Sequence, residues 1–125
     1  MQRFVFYLIV LISMAALSAC TKEADALKPV DDARAEAQSM SRGALEDTAR
    51  RYADAIVSKT SEYRKVEAQI KAIPLQDLMG KKATAMKVQA GALATEISNL
   101  NRLYDIYSEY YLKKGGDFEK IKIRW

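Results

Sequence analysis

Two runs of residues, each stepping alternately by four and three, constrain this chain more than any other feature. The first is Leu45, Ala49, Tyr52, Ile56, Lys59, Tyr63, Val66, Ile70 and Ile73. The second is Met79, Ala83, Met86, Ala90, Leu93, Ile97, Leu100, Tyr104, Tyr107 and Tyr111. Such steps average about 3.5 residues, the period at which one stripe of an α-helix keeps facing a neighbouring helix. Between the runs the register breaks, and Pro74 lies inside the break. Proline cannot donate to a helical carbonyl and clashes with the preceding turn, yet it suits the first turn of a new helix. The break predicts a chain reversal near 73–80, with Gly80 as an alternative pivot and a single kinked rod as the rival. The expected fold is therefore all-α: a long antiparallel two-helix hairpin, coiled-coil-like, over residues 31–114. Each helix would hold about 40 residues and run roughly 60 Å.

An antiparallel hairpin with this reversal sets Ile56 level with Ile97, Tyr52 with Leu100 and Val66 with Met86. Tyr63 falls opposite Ala90, and Ala49 near Tyr104. Large side chains often meet small ones, as interdigitating helices require. Lys59 interrupts the seam. Either its stem lies along the groove with the ammonium in water, or it specifies register as a polar seam residue. Asp31 or Asp32 is placed to cap the first turn. Ser39 to Gly43 is weaker helix-forming sequence and reads as a kink or a second helix start.

The second helix carries more apolar surface than a hairpin uses. Leu103, Ile106 and Tyr110 make a second stripe beside Tyr104, Tyr107 and Tyr111. A helix apolar on most sides is buried against something. The candidates are the alanine-rich start of the first helix, the C-terminal tail, a second copy, a partner protein or a glycan. Tyrosine suits an interface, because it offers apolar area and a hydroxyl that remains satisfied when wet. Leu103, Tyr104, Ile106, Tyr107, Tyr110, Tyr111 and Trp125 are accordingly the candidate partner-binding residues. Small size also favours a homo-oligomer or an obligate partner, since a lone hairpin leaves much of each helix wet.

After Gly115-Gly116, a pair that reads as a flexible joint, the pattern changes. Ile121, Ile123 and Trp125 alternate with Lys120, Lys122 and Arg124, which argues a short basic β-like strand over 115–125. A lone strand must pair, lie at a lipid surface or stay disordered. Its charge reads either as a solubilising tail or as a contact for an anionic surface.

The N-terminus speaks to location. Arg3 provides a positive start, Phe4 to Leu17 an apolar stretch broken only by Ser13, and Ser18 and Ala19 a small-residue approach to Cys20, the sole cysteine. These are the three parts of a secretory signal in order, and the apolar stretch is shorter than the roughly 20 residues of a membrane-spanning helix. Leu17-Ser18-Ala19-Cys20 resembles the lipobox of bacterial lipoproteins. The resemblance implies a signal peptide over 1–19, cleavage before Cys20, a diacylglycerol thioether on its sulfur and an acyl chain on the new N-terminus. Residue 21 is threonine rather than aspartate, which in a diderm host implies the outer membrane, facing the periplasm. A monoderm host would hold the protein on the outer face of its single membrane. Two or three acyl chains, at about 0.8 kcal/mol per buried CH₂, make a stable anchor. Residues 20–30 then read as the lipidated cysteine and a polar tether.

Composition closes off several chemistries. The chain has no histidine, and its one cysteine is the expected lipid site, so disulfides, Cys/His zinc sites and Ser-His-Asp or Cys-His catalysis are excluded. No glycine-rich phosphate loop occurs. The expectation is a non-enzymatic, lipid-anchored envelope protein without metal or cofactor beyond its covalent lipid, and with no nucleic-acid partner. It would act as an adaptor or as an assembly or stabilising factor. A membrane-to-wall spacer and an exclusion lipoprotein of a mobile element are the alternatives. The spacer resembles helical murein lipoproteins in logic, but the chain ends in Trp125 instead of the terminal lysine that family attaches to the wall.

Overall fold

The computed structural model describes residues 24–125; the expected signal peptide and Cys20 lie outside them. Among the described residues three α-helices form in chain order: α1 (Val30–Ser39), α2 (Arg42–Lys71) and α3 (Lys81–Lys113). Short 3₁₀ turns follow at Leu75–Asp77, within the reversal, and at Phe118–Lys120, in the tail. α2 and α3 pack against each other as the hairpin, and α1 packs on α3.

The first helix is thus two helices. Met40 is extended and ends α1, and Ser41 opens α2, its hydroxyl accepting from the Ala44 amide at 3.2 Å. This is the second start permitted by the weak Ser39–Gly43 stretch. It shortens α2 to 30 residues, and α3, starting only at Lys81, holds 33, so the hairpin helices run about 45–50 Å. Asp31 and Asp32 do not cap α1; Pro29 holds that position, and the two acids sit inside the first turn, where negative charge favours the helix dipole. The last carbonyls of α1 are met from a distance: Lys114 donates to Gln38 O at 3.2 Å and to Met40 O.

The reversal falls where the register break puts it. α2 ends at Lys71, Pro74 precedes the 3₁₀ turn, and Gly80 precedes α3. Met79, assigned to the second seam, is instead 89% exposed, because the helix starts only after it. The remaining seam residues are all at least half-buried. The expected levels are displaced: the Tyr52 ring stacks on Tyr107 (centroids 5.4 Å apart, planes at 17°), one heptad beyond Leu100. Lys59 bridges the helices, 3.5 Å from Glu96 across the hairpin and 3.7 Å from Glu62 on its own helix. Its stem lies in the seam and its charge reaches half-exposed carboxylates.

The tail is not a strand, and among the described residues no strand occurs. Gly115, at φ +80°, closes α3 in the left-handed conformation that suits glycine. Its amide reaches Leu112 O and that of Gly116 reaches Tyr111 O, both at 3.0 Å, the paired bonds of a Schellman cap. A Cβ on Gly116 would lie 2.4 Å from the Tyr111 ring. The glycine pair is therefore a fixed corner rather than a flexible joint. It turns the tail back along α2, where Arg50 Nε donates to Lys120 O at 2.8 Å and Ile121 is buried. The side-chain alternation read as a strand is met by one inward residue, Ile121, with Ile123 partly covered beside it.

Candidate functional site

The core concentrates at the end of the hairpin farthest from the reversal. Leu45, Ala49, Tyr52 and Ile56 of α2 meet Leu100, Leu103, Tyr104, Ile106, Tyr107 and Tyr111 of α3, closed over by Ala33 and Ala37 of α1 and by Ile121. The surplus apolar stripe is thus covered by the chain itself, on the alanine-rich helix and the tail. Alanines at α1's inner face let its backbone approach the large tyrosine and leucine side chains closely.

Each buried tyrosine hydroxyl fastens a peripheral segment to this core. Tyr52 Oη donates to Asp25 O at 3.0 Å. Tyr107 Oη accepts from Lys28 Nζ at 3.2 Å, and the same ammonium pairs with Glu36 of α1. Tyr104 Oη donates to Ile121 O at 3.0 Å. Tyr111 Oη donates to Glu46 Oε2 at 3.0 Å and accepts from the Asp117 amide at 3.1 Å. Two tyrosines thus hold the segment before α1, and two hold the tail. Burial pushes the hydroxyls of Tyr52, Tyr104 and Tyr107 above the usual phenol range. Burial works against the Lys28 ammonium, but its hydrogen bonds to Glu36 and Tyr107 outweigh that and hold its pKa above the ordinary lysine value.

Of the seven residues expected to meet a partner, Leu103, Tyr104, Ile106, Tyr107 and Tyr111 are buried in the chain. A partner could touch them only by opening the core. Tyr110 is half-buried with Lys113 over its ring at 5.1 Å, and Trp125 is 74% exposed with the Arg64 guanidinium 5.8 Å from its ring. The periodicity located the tyrosines but could not tell an inner cover from an outer one. Sequence reasoning missed the role of Asp25 and Lys28: residues 24–29, read as a free tether, lie docked on the body. Nothing in these six residues announces that their main chain will be captured by a tyrosine.

The docked segment borders a cleft of about 650 Å³ lined by Ala24, Asp25, Glu36, Asp47, Arg51 and Tyr52, among others. A second cavity, about 560 Å³ and mostly apolar, lies at the reversal between Ile73, Pro74, Ala83 and Met86. Among the described residues no cluster of acidic or cysteine side chains could hold a metal ion, and no helix is long and apolar enough to cross a membrane. Comparison with known proteins finds no match: no family model, no curated sequence and no solved structure is similar to the chain.

Proposed function

We propose that the chain is a lipid-anchored, non-enzymatic envelope protein that serves as an adaptor or assembly factor, held at the membrane by acyl chains on Cys20. The docking of residues 24–29 carries this reading. Four chain steps separate Cys20 from Ala24, at most about 14 Å. The main chain is held at Asp25 by Tyr52, and Lys28 is held by Glu36 and Tyr107. An acyl anchor at Cys20 is therefore coupled to the helical body almost without slack, as a platform that orients a partner requires and a long-leash tether does not. With the tyrosine core closed, the surfaces left for an envelope partner are α2's charged outer side, Tyr110 and the exposed Trp125.

The test pairs anchoring with capture. Metabolic labelling with a palmitate analogue should mark the wild type and spare Cys20→Ser; an unlabelled wild type overturns the anchor. Crosslinking in the native envelope, read by mass spectrometry, should enrich one envelope protein that a Tyr110→Ser, Trp125→Ser double variant loses. Recovery of wall fragments or of the chain alone would overturn the adaptor and favour a spacer or a self-assembling protein.

A further inference from the structure

Three of the chain's most exposed large apolar residues lie where the core does not explain them: Leu75 (85%) and Met79 (89%) in the reversal, and Val88 (68%) on α3. A fourth, Leu27 (85%), belongs to the docked segment and lines a small cleft with Asn99 and Arg102 of α3. Val88, Thr95, Asn99 and Arg102 are spaced by seven, four and three, so they share one side of α3. Lys81, seven residues before Val88, starts that side. Leu27, Val88 and the start of α3 at the reversal are thus ranged along one flank of the molecule, with the docked residues 24–29 at the end away from the reversal.

Along α3 the exposed charge of this flank is basic, while exposed Asp25, Asp31 and Asp32 stand near Leu27 in the chain. From Lys81 to Arg102 the only acid is Glu96, and it is turned to Lys59 within the hairpin. The exposed charges are Lys81, Lys82, Lys87 and Arg102. No ion pair involves Lys81 or Lys82 among the described residues; Asp77 is the one acid of the turn, while Glu67 is taken up by Lys71. The outer side of α2, in contrast, mixes Asp47, Asp54 and Glu62 with its basic residues. Lys87 Nζ donates to Leu78 O at 3.1 Å, and its charge too has no acidic partner among the described residues. Apolar side chains projecting between lysines without acidic partners are the signature of a surface that beds into anionic head groups.

We propose that the α3 flank and the reversal lie on the anionic bilayer that holds the Cys20 anchor. The hairpin would then rest along the membrane rather than stand from it. Leu27, Val88, Leu75 and Met79 enter the interface, and Lys81, Lys82, Lys87 and Arg102 meet lipid phosphates. This leaves α2 and Trp125 facing outward. The inference rests on the anchored reading above. By itself a lysine near such a surface adds too little to hold the protein; the lipid anchor supplies the high local concentration that makes the weak contact persist.

The test uses lipidated protein purified from its own envelope and reconstituted into vesicles of phosphatidylcholine, with or without phosphatidylglycerol. Cys20 is blocked by lipid, so a single new cysteine takes an environment-sensitive dye. Met79→Cys and Val88→Cys report on the flank, Ser58→Cys and Ser61→Cys on α2. The result expected is a blue shift and a several-fold brightening at 79 and 88 only with phosphatidylglycerol. The signal should fall when the screening length shrinks to about 3 Å in 1 M salt and in Lys81→Glu, Lys82→Glu protein, with 58 and 61 unchanged. Probes at 79 and 88 as wet as those at 58 and 61 would overturn the proposal. So would brightening that follows protein density irrespective of lipid charge, which would assign the flank to a second copy. Failure of the anchoring itself shows separately, as a free Cys20 thiol that takes the dye in unsubstituted protein.

Discussion

The two ends of the hairpin obey the same heptad pattern and reach different states. Near Tyr52 and Tyr107 the seam is sealed by α1, the docked residues 24–29 and the tail, and most of its residues are fully buried. From Lys59 to Met86 there are two helices and little else. Val66 and Ala83 are buried there, but Tyr63, Ile70, Ile73, Met86 and Ala90 of the same seam are only partly buried. A heptad stripe guarantees one helix neighbour, but closing a core takes a third layer. The chain supplies that layer at one end only, through a short helix before the hairpin and a folded tail after it.

The contrast can be broken most forcefully at its stacked tyrosines. Tyr107→Ala removes a fully buried ring, its stack on Tyr52 and the Lys28 hydrogen bond, and should cost about 3–5 kcal/mol, whereas Tyr63→Ala in the open arm should cost about 1 kcal/mol or less. Urea unfolding of the two variants measures the difference, and equal losses would erase the distinction. Ile121→Ala should follow at about 2–3 kcal/mol by unseating the tail from Tyr104. Gly116→Ala should cost about 1–3 kcal/mol, because the buried Tyr111 ring cannot make way; a shift of the thermal midpoint reads both.

Alkaline titration sharpens the same contrast. Lys28, Tyr52, Tyr104 and Tyr107 have folded-state pKa values above their ordinary ones, 10.5 for lysine and 10.0 for tyrosine. The unfolded chain therefore loses these protons first, so their stabilising contribution is complete below pH 10 and fades as pH rises above it. Stability should be insensitive to these groups between pH 7 and 9 and fall beyond pH 10, less steeply in Lys28→Met. A Lys28→Met curve parallel to wild type would remove the clasp from the account. The smallest effect belongs to the open arm: Lys59→Leu should change stability by less than about 1 kcal/mol, because half-exposed ion pairs contribute little and leucine fits the seam.

Much of this architecture was legible in residue spacing. The seams, the reversal at Pro74 and the surplus stripe through Leu103 and Ile106 all follow from periodicity, since a period reports which side of a helix is covered. It does not report by what. That α1 and Ile121 supply the cover, and that five expected contact residues become core, depends on chain segments distant in sequence. Gly115-Gly116 illustrates the same limit. The pair marks a break, but only the Tyr111 ring beside Gly116 makes the corner rigid. The Asp25 clasp left no trace at all, because a main-chain carbonyl accepts the Tyr52 proton whatever side chain it carries, and the Lys28 clasp joins residues too far apart in sequence for any period to link them.

Hydrogen exchange of the lipidated protein, resolved to short peptides, separates a sealed end from an open arm. A sealed end and an open arm predict that amides of 45–56 and 100–111 exchange only with global unfolding, while those of 62–90 exchange through local opening, faster by orders of magnitude. Uniform protection along both helices would contradict that contrast, and would mean that the arm carries a cover of its own.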